Sequence, residues 1–186
     1  MTEYNERFME TDKVSQIKNA QIGDIITFGK YEWIVLDKTS DVLLVITKDI
    51  IDYKAYNKAR KSVTWDSCTL RSWLNNEFYN EFTEEEKEKI LNTNVKNDDN
   101  LEYGTAGGED TTDRVFLLSM AEADKYFKDD DERAVHYDGE ELGWWLRSPG
   151  RRTNGAVRVH CDGWVSSNGL CVSIAIGVRP ALNLKF

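Results

Sequence analysis

Three short runs near the start of the chain set its first pattern. Residues 24–28 and 31–37 are short, largely apolar runs that read as strands, with Gly29-Lys30 between them. A glycine able to take φ > 0 suits a two-residue turn. The third run, residues 42–47, is almost continuously apolar, which predicts burial on both faces. Together the three predict an antiparallel meander. Residues 1–20 show no clean period; Phe8, Met9, Val14 and Ile17 predict an N-terminal arm or one weak helix, ahead of a single domain over 21–186.

The pattern then changes to helical spacing. Residues 50–63 are mixed and polar and read as a loop. Leu70, Trp73, Leu74 and Phe78 recur at intervals of three and four, so one helix face is apolar, with Asp66 or Ser67 as its N-cap. Thr83 with Glu86, and Ser119 with Glu122, each fit a capping box. The carboxylates Glu84, Glu85 and Glu86 favour the positive end of a helix dipole and read as a solvated helix start. Residues 92–113 read as a long polar loop. Its glycines lack the Gly-Lys-Ser/Thr ending of a phosphate loop. Residues 114–118 read as a strand. Residues 129–132 are a carboxylate cluster without the spacing and glycine of a calcium loop, hence a solvated turn.

Period-two alternation appears after Gly143, in short pieces broken by glycines at residues 156–160, 163–166 and 172–176. These predict an irregular antiparallel sheet. Residues 144–150 and 177–184 bracket it and read as core, with a displayed surface between them. The expected core includes Trp73, Leu74, Phe116, Leu118, Trp145 and Val178. Arg147 and Arg179 lie inside apolar runs and read as structural arginines paired with buried carboxylates.

Charge sharpens this picture. The formal net charge is -9, which argues against a nucleic-acid partner. From Glu141 on, six basic residues face two acidic ones, giving +4 and leaving -13 for the rest. Within that basic third, Arg151, Arg152, Asn154, Arg158, His160, Asp162, Trp164, Ser166, Ser167 and Asn168 crowd one short region. Trp and Arg carry much of the energy at binding hot spots, and Trp with Asn, Asp and Arg also suits a sugar. A protein or glycan ligand is expected, with no cofactor.

Catalytic and metal motifs are sparse. No H-E-x-x-H, C-x-x-C or serine elbow occurs. His160, Cys161 and Cys171 are three potential zinc ligands, yet neighbours on a strand point to opposite faces, so no metal is expected. Three scattered cysteines suggest a reduced, cytoplasmic setting, with a Cys161–Cys171 bridge left open. No eighteen-residue apolar stretch predicts a membrane span, and the polar N-terminus has no apolar h-region.

Thr64-Trp65, the run Leu70 to Asn75, the run Arg114 to Ser119, and the two brackets resemble, in order, a bacterial domain-of-unknown-function family over residues 22–186. The brackets are more loosely similar to the C-terminal part of formylglycine-generating-enzyme-like domains with a C-type-lectin-like fold. That group includes the variable ligand-binding proteins of diversity-generating retroelements. The resemblance implies an α+β, C-type-lectin-like arrangement whose binding face falls within residues 151–173. The group's enzyme branch implies another reading, a cysteine-dependent oxidase using Cys161 or Cys171; a structural component of a larger assembly is a further alternative, independent of the resemblance. The calcium-lectin signatures Glu-Pro-Asn and Trp-Asn-Asp are absent, and Cys161 and Cys171 are ten residues apart where the enzyme branch has a close pair. A non-catalytic binding module is the expectation.

Overall fold

The computed structural model describes residues 17–135 and 143–186. Most of the expected N-terminal arm, and His136, lie outside the described residues; Ile17 and Ala20, at the arm's end, are buried. The strands are β1 (Ile25–Phe28), β2 (Tyr31–Lys38), β3 (Val42–Thr47), β4 (Asp52–Ala55), β5 (Thr93–Val95), β6 (Thr111–Asp113), β7 (Trp144–Pro149), β8 (Gly155–Val159), β9 (Val165–Cys171), β10 (Ala175–Val178) and β11 (Ala181–Lys185). Short helices are α1 (Thr69–Trp73), α2 (Glu84–Lys87), α3 (Met120–Tyr126) and α4 (Asp130–Arg133). The class is α+β with mostly antiparallel sheets. Among the described residues no helix is long and apolar enough to cross a membrane.

The predicted meander forms, and Gly29 makes its first turn at φ +61, where a glycine meets no Cβ penalty. β3 is less symmetrically buried than its apolar run predicts. Leu43 and Val45 are fully buried, but Val42 and Leu44 are half-buried and line a cavity of about 190 Å³ with Phe116 and Tyr126. The second face of β3 is covered incompletely, and of its residues only Ile46 is buried. β11 then pairs antiparallel with β3, Ala181 opposite Ile46, so the end of the chain completes the sheet its first strands began, in the order β1-β2-β3-β11.

The second sheet runs β4-β10-β7-β8-β9. The two brackets meet inside it, since β10 lies parallel to β7 with Gly177 opposite Trp144. Its outer strand β4 forms within the segment that the sequence predicts as loop. Asp52-Tyr53-Lys54-Ala55 has no alternation of its own, and its partner β10 is far away in sequence, with Tyr53 opposite Gly177. The expected loop 92–113 likewise contains the β5–β6 pair. Residues 114–118 are not a strand: Val115 to Leu118 are buried, Arg114 is exposed, and the segment makes one bridge, Phe116 to Ala181.

Local signals at helix ends hold better. Both capping boxes form, at Thr83/Glu86 and Ser119/Glu122. The N-cap of α1 is Cys68 rather than Asp66 or Ser67, because a 3-10 turn, Trp65–Ser67, precedes it. Asp129 caps α4 where a bare turn is expected, its carboxylate accepting from the amide of Glu132.

Leu74, Phe116, Leu118, Trp145 and Val178 are core as expected, beside Trp33, Trp65 and Trp144. Trp73 is not; it is half-buried. One helical residue is a rotation of about 100°, which carries Trp73 off the Leu70–Leu74–Phe78 face. The two bracket arginines differ. Arg147 is buried and pairs with Glu122, while its remaining N–H groups donate to the carbonyls of Lys96 and Leu117 at 2.8–3.1 Å. Arg179 has no carboxylate in ion-pair distance among the described residues. It donates to the carbonyls of Thr47 (2.8 Å) and Lys48 (3.1 Å) and lies over the rings of Phe127 and Trp144. Burial pulls its guanidinium down to about 10, with Asp49 opposing.

Candidate functional site

The loop from β7 to β8, residues 150–154, is held from three sides by backbone. Arg151 donates its amide to Asn168 of β9 (2.9 Å), and its carbonyl accepts from the Thr105 hydroxyl (3.1 Å). The Thr153 carbonyl accepts from Val63, and the Asn154 carbonyl accepts from Val172. The wide bulge of β9 closes onto this loop. Gly169 turns at φ +72, and a Cβ there would sit 2.5 Å from the carbonyl oxygen of Ala156, so only glycine lets β9 come this close.

On this mount lies a groove of about 290 Å³ lined by Arg60, Arg151, Arg152, Asn154, Asn168 and Cys171. Arg151 and Arg152 are exposed, and Asn154 is half-buried. The Arg151 guanidinium rests over the Tyr103 ring, 5.7 Å from its centre. Among the described residues no carboxylate is in ion-pair distance of Arg60, Arg151 or Arg152. Three exposed arginines without a carboxylate partner therefore border one groove, and the donor fork of a guanidinium matches the paired oxygens of a carboxylate or phosphate.

The remaining expected site residues lie elsewhere on the hairpin. His160, Asp162 and Trp164 form the β8–β9 turn, at the far end of a five-residue strand roughly 16 Å long. Trp164 is 53% exposed and tilts against His160, 6.0 Å between ring centres. Arg158 donates to His160 Nε2 at 2.8 Å, since a guanidinium has no acceptor. Burial lowers the Arg158 guanidinium from its ordinary value, with Cys161 opposing. Arg133 of α4 anchors the turn by donating to the Gly163 carbonyl at 2.9 Å. Ser166, expected on the displayed surface, is buried, and its hydroxyl donates to Asn168 Oδ1 at 2.8 Å. Ser166 and Arg158 are cross-strand partners opposite Trp145, so this face of the sheet is turned to the core. The expected single surface is thus two patches, one at each end of the hairpin.

Two features escaped the sequence reading. Arg60 joins the basic groove from the segment after β4; its signal in the sequence is the basic run Lys58-Ala59-Arg60-Lys61, which lies outside the charge reversal that starts at Glu141. Trp73, with Tyr53, Lys54, Ser72 and Glu77, lines a separate groove of about 340 Å³. The Lys54 ammonium sits 4.4 Å from the centre of the Trp73 ring.

The three cysteines are free. Cys171 begins opposite Gly155 at the groove, whereas Cys161 lies in the turn at the other end of the hairpin. Among the described residues no three His, Cys, Asp or Glu side chains gather as metal ligands. The thiols differ in environment. Burial pushes Cys68 up to about 12. Hydrogen bonds from Ser173, then the charge of Arg60, hold Cys171 below the ordinary thiol value. The thiolate is the reactive form, so at pH 8 a maleimide should label Cys171 readily and Cys68 only on unfolding. Peptide mapping after timed labelling reads this. Equal native rates at the two positions would show that the burial of Cys68 is wrong.

No curated protein and no solved structure matches the chain. A family model does, over residues 40–186, from β3 through both brackets and both ends of the hairpin to the final strand. That span contains the groove and the scaffold that holds it, and on it the chain belongs to the domain-of-unknown-function family DUF6273.

Proposed function

We propose that this chain is a non-catalytic binding module that recognises a protein or glycan through the loop end of its five-stranded sheet. One observation carries the reading: a loop pinned by hydrogen bonds to its backbone on three sides offers Arg151, Arg152 and Asn154 to a groove that Arg60 and Asn168 complete. A loop backbone that is already fixed loses little freedom on binding, so more of the contact energy is kept for the ligand. The C-type-lectin-like arrangement belongs to the same proposal, supported by the pairing of the bracket strands β7 and β10 and by the exposed loops between them. So does a bacterial, cytoplasmic setting, which suits three free thiols.

The separation of the two patches decides the experiment. Arg151→Ala with Arg152→Ala should change stability by no more than about 0.5 kcal/mol per site, because both side chains are exposed. Trp164→Ala serves as the control at the other end of the hairpin. In a thermal-shift screen of glycans and purified protein fractions, a ligand at a hundred times its Kd should stabilise the native protein by about 2.7 kcal/mol. The double arginine variant should lose that stabilisation and the Trp164 variant should keep it. A ligand that stabilises the double variant as well as the native protein would overturn the proposal.

A further inference from the structure

The geometry points to an acidic segment of a partner protein as the ligand of the three-arginine groove, its carboxylate or phosphate oxygens held by Arg60, Arg151 and Arg152. This rests on the proposal that the loop end of the sheet is a recognition surface. Arg60 arrives from the first half of the chain and Arg151 and Arg152 from the last third, so three charges of one sign are gathered by the fold, not by a run of sequence. Like charges brought together without a counter-charge repel, and among the described residues none has a carboxylate in reach. An oxyanion entering the groove removes that repulsion and accepts from the guanidinium forks, while Asn154 and Asn168 supply amide donors and acceptors suited to a peptide backbone.

The surroundings narrow the class. Among the described residues no aromatic ring lines this groove; Tyr103 lies under Arg151 and is occupied in holding it. A sugar ring or a nucleobase would find no stacking platform there. The whole chain carries -9, so a long polyanion would be repelled beyond the groove, whereas a short acidic segment meets only the local positive patch. Cys171 in the groove wall provides a built-in reporter: an occupant should shield it from a maleimide, while Cys161, in the turn at the other end, stays reactive.

The test is a titration of the full chain with four probes, followed by calorimetry and by Cys171 labelling. The probes are a glutamate-rich peptide, the same peptide with phosphoserine in place of glutamate, its glutamine counterpart, and a polyuronate. One or both anionic peptides should bind and protect Cys171, weakening as salt is raised, and their ratio tells carboxylate from phosphate. The glutamine peptide and the polyuronate should not bind. Replacing Arg60, Arg151 and Arg152 together with Ala should weaken binding at least about thirtyfold. The corresponding Lys variant keeps the charge but loses the fork, so its affinity should fall between the two. Should the Ala variant fail to fold, the Lys variant alone decides, since an affinity equal to wild type removes the role of the guanidinium forks. If neither anionic peptide protects Cys171, the inference is overturned. If the glutamine peptide or the polyuronate protects Cys171 instead, the inference falls and the recognition surface stands. A ligand that binds the protein without shielding Cys171 overturns both.

Discussion

Replacing Trp145 with Ala is expected to destabilise the protein by about 3–5 kcal/mol, the range for a large aromatic removed from a packed core. Trp145 is fully buried in β7, the middle strand of the five-stranded sheet. Its ring meets Tyr56 edge-on at 5.6 Å, and its indole N–H donates to the Lys54 carbonyl at 2.9 Å. The indole therefore ties the middle strand to β4 at the sheet's edge, past the intervening β10. Truncation leaves a void that the rigid neighbours cannot fill and strips a part-buried carbonyl of its donor. Urea unfolding at equal m-value measures the loss. A change below about 1 kcal/mol would mean that the ring is not part of the core.

Asp113→Ala should cost about 3 kcal/mol, the lower end of the range for breaking a buried ion pair. The Asp113 side chain is 0% exposed and accepts three hydrogen bonds, from Trp65 Nε1 at 2.9 Å, Arg71 Nε at 2.7 Å and Thr111 Oγ1 at 2.7 Å. Its loss orphans the buried indole N–H of Trp65. Arg71, at 27% exposed, turns partly to water, which limits the damage. Asp113→Asn keeps one acceptor oxygen and should cost about half as much. The groove should feel the change too, because Trp65 supports Tyr56, which opens the segment carrying Arg60. Equal stability of the Ala and Asn variants would show that the carboxylate charge, not the acceptor count, holds this junction.

The local features were legible from the residues alone. Gly29 makes the turn between two largely apolar runs, Thr83 and Ser119 close their capping boxes, and the bracket tryptophans are buried. Each depends on neighbours within a few positions, where spacing along the chain is spacing in space. The identity of Arg151, Arg152, Asn154 and Asn168 as a displayed group was also visible, because glycines and polar residues between apolar strands mark exposed loops.

The rest waited for long-range contacts. β4 and β11 become strands only because β10 and β3 offer edges to pair with, and no pattern in Asp52–Ala55 announces that. Trp73 has a core residue's chemistry but stands a rotation away from the covered face and so lines a groove. Ser166 alternates like a surface residue, yet its cross-strand partner faces Trp145 and carries it inward. Arg179 was legible as structural, but not its partners, since carbonyls of a distant strand end rather than a carboxylate receive it. The same holds for the site. Period and charge along the chain placed two arginines on a loop, but which third arginine meets them, and which of their neighbours are drawn 16 Å away to the other end of a hairpin (roughly five strand residues), is decided by strand register and sheet order, which no local window of sequence contains.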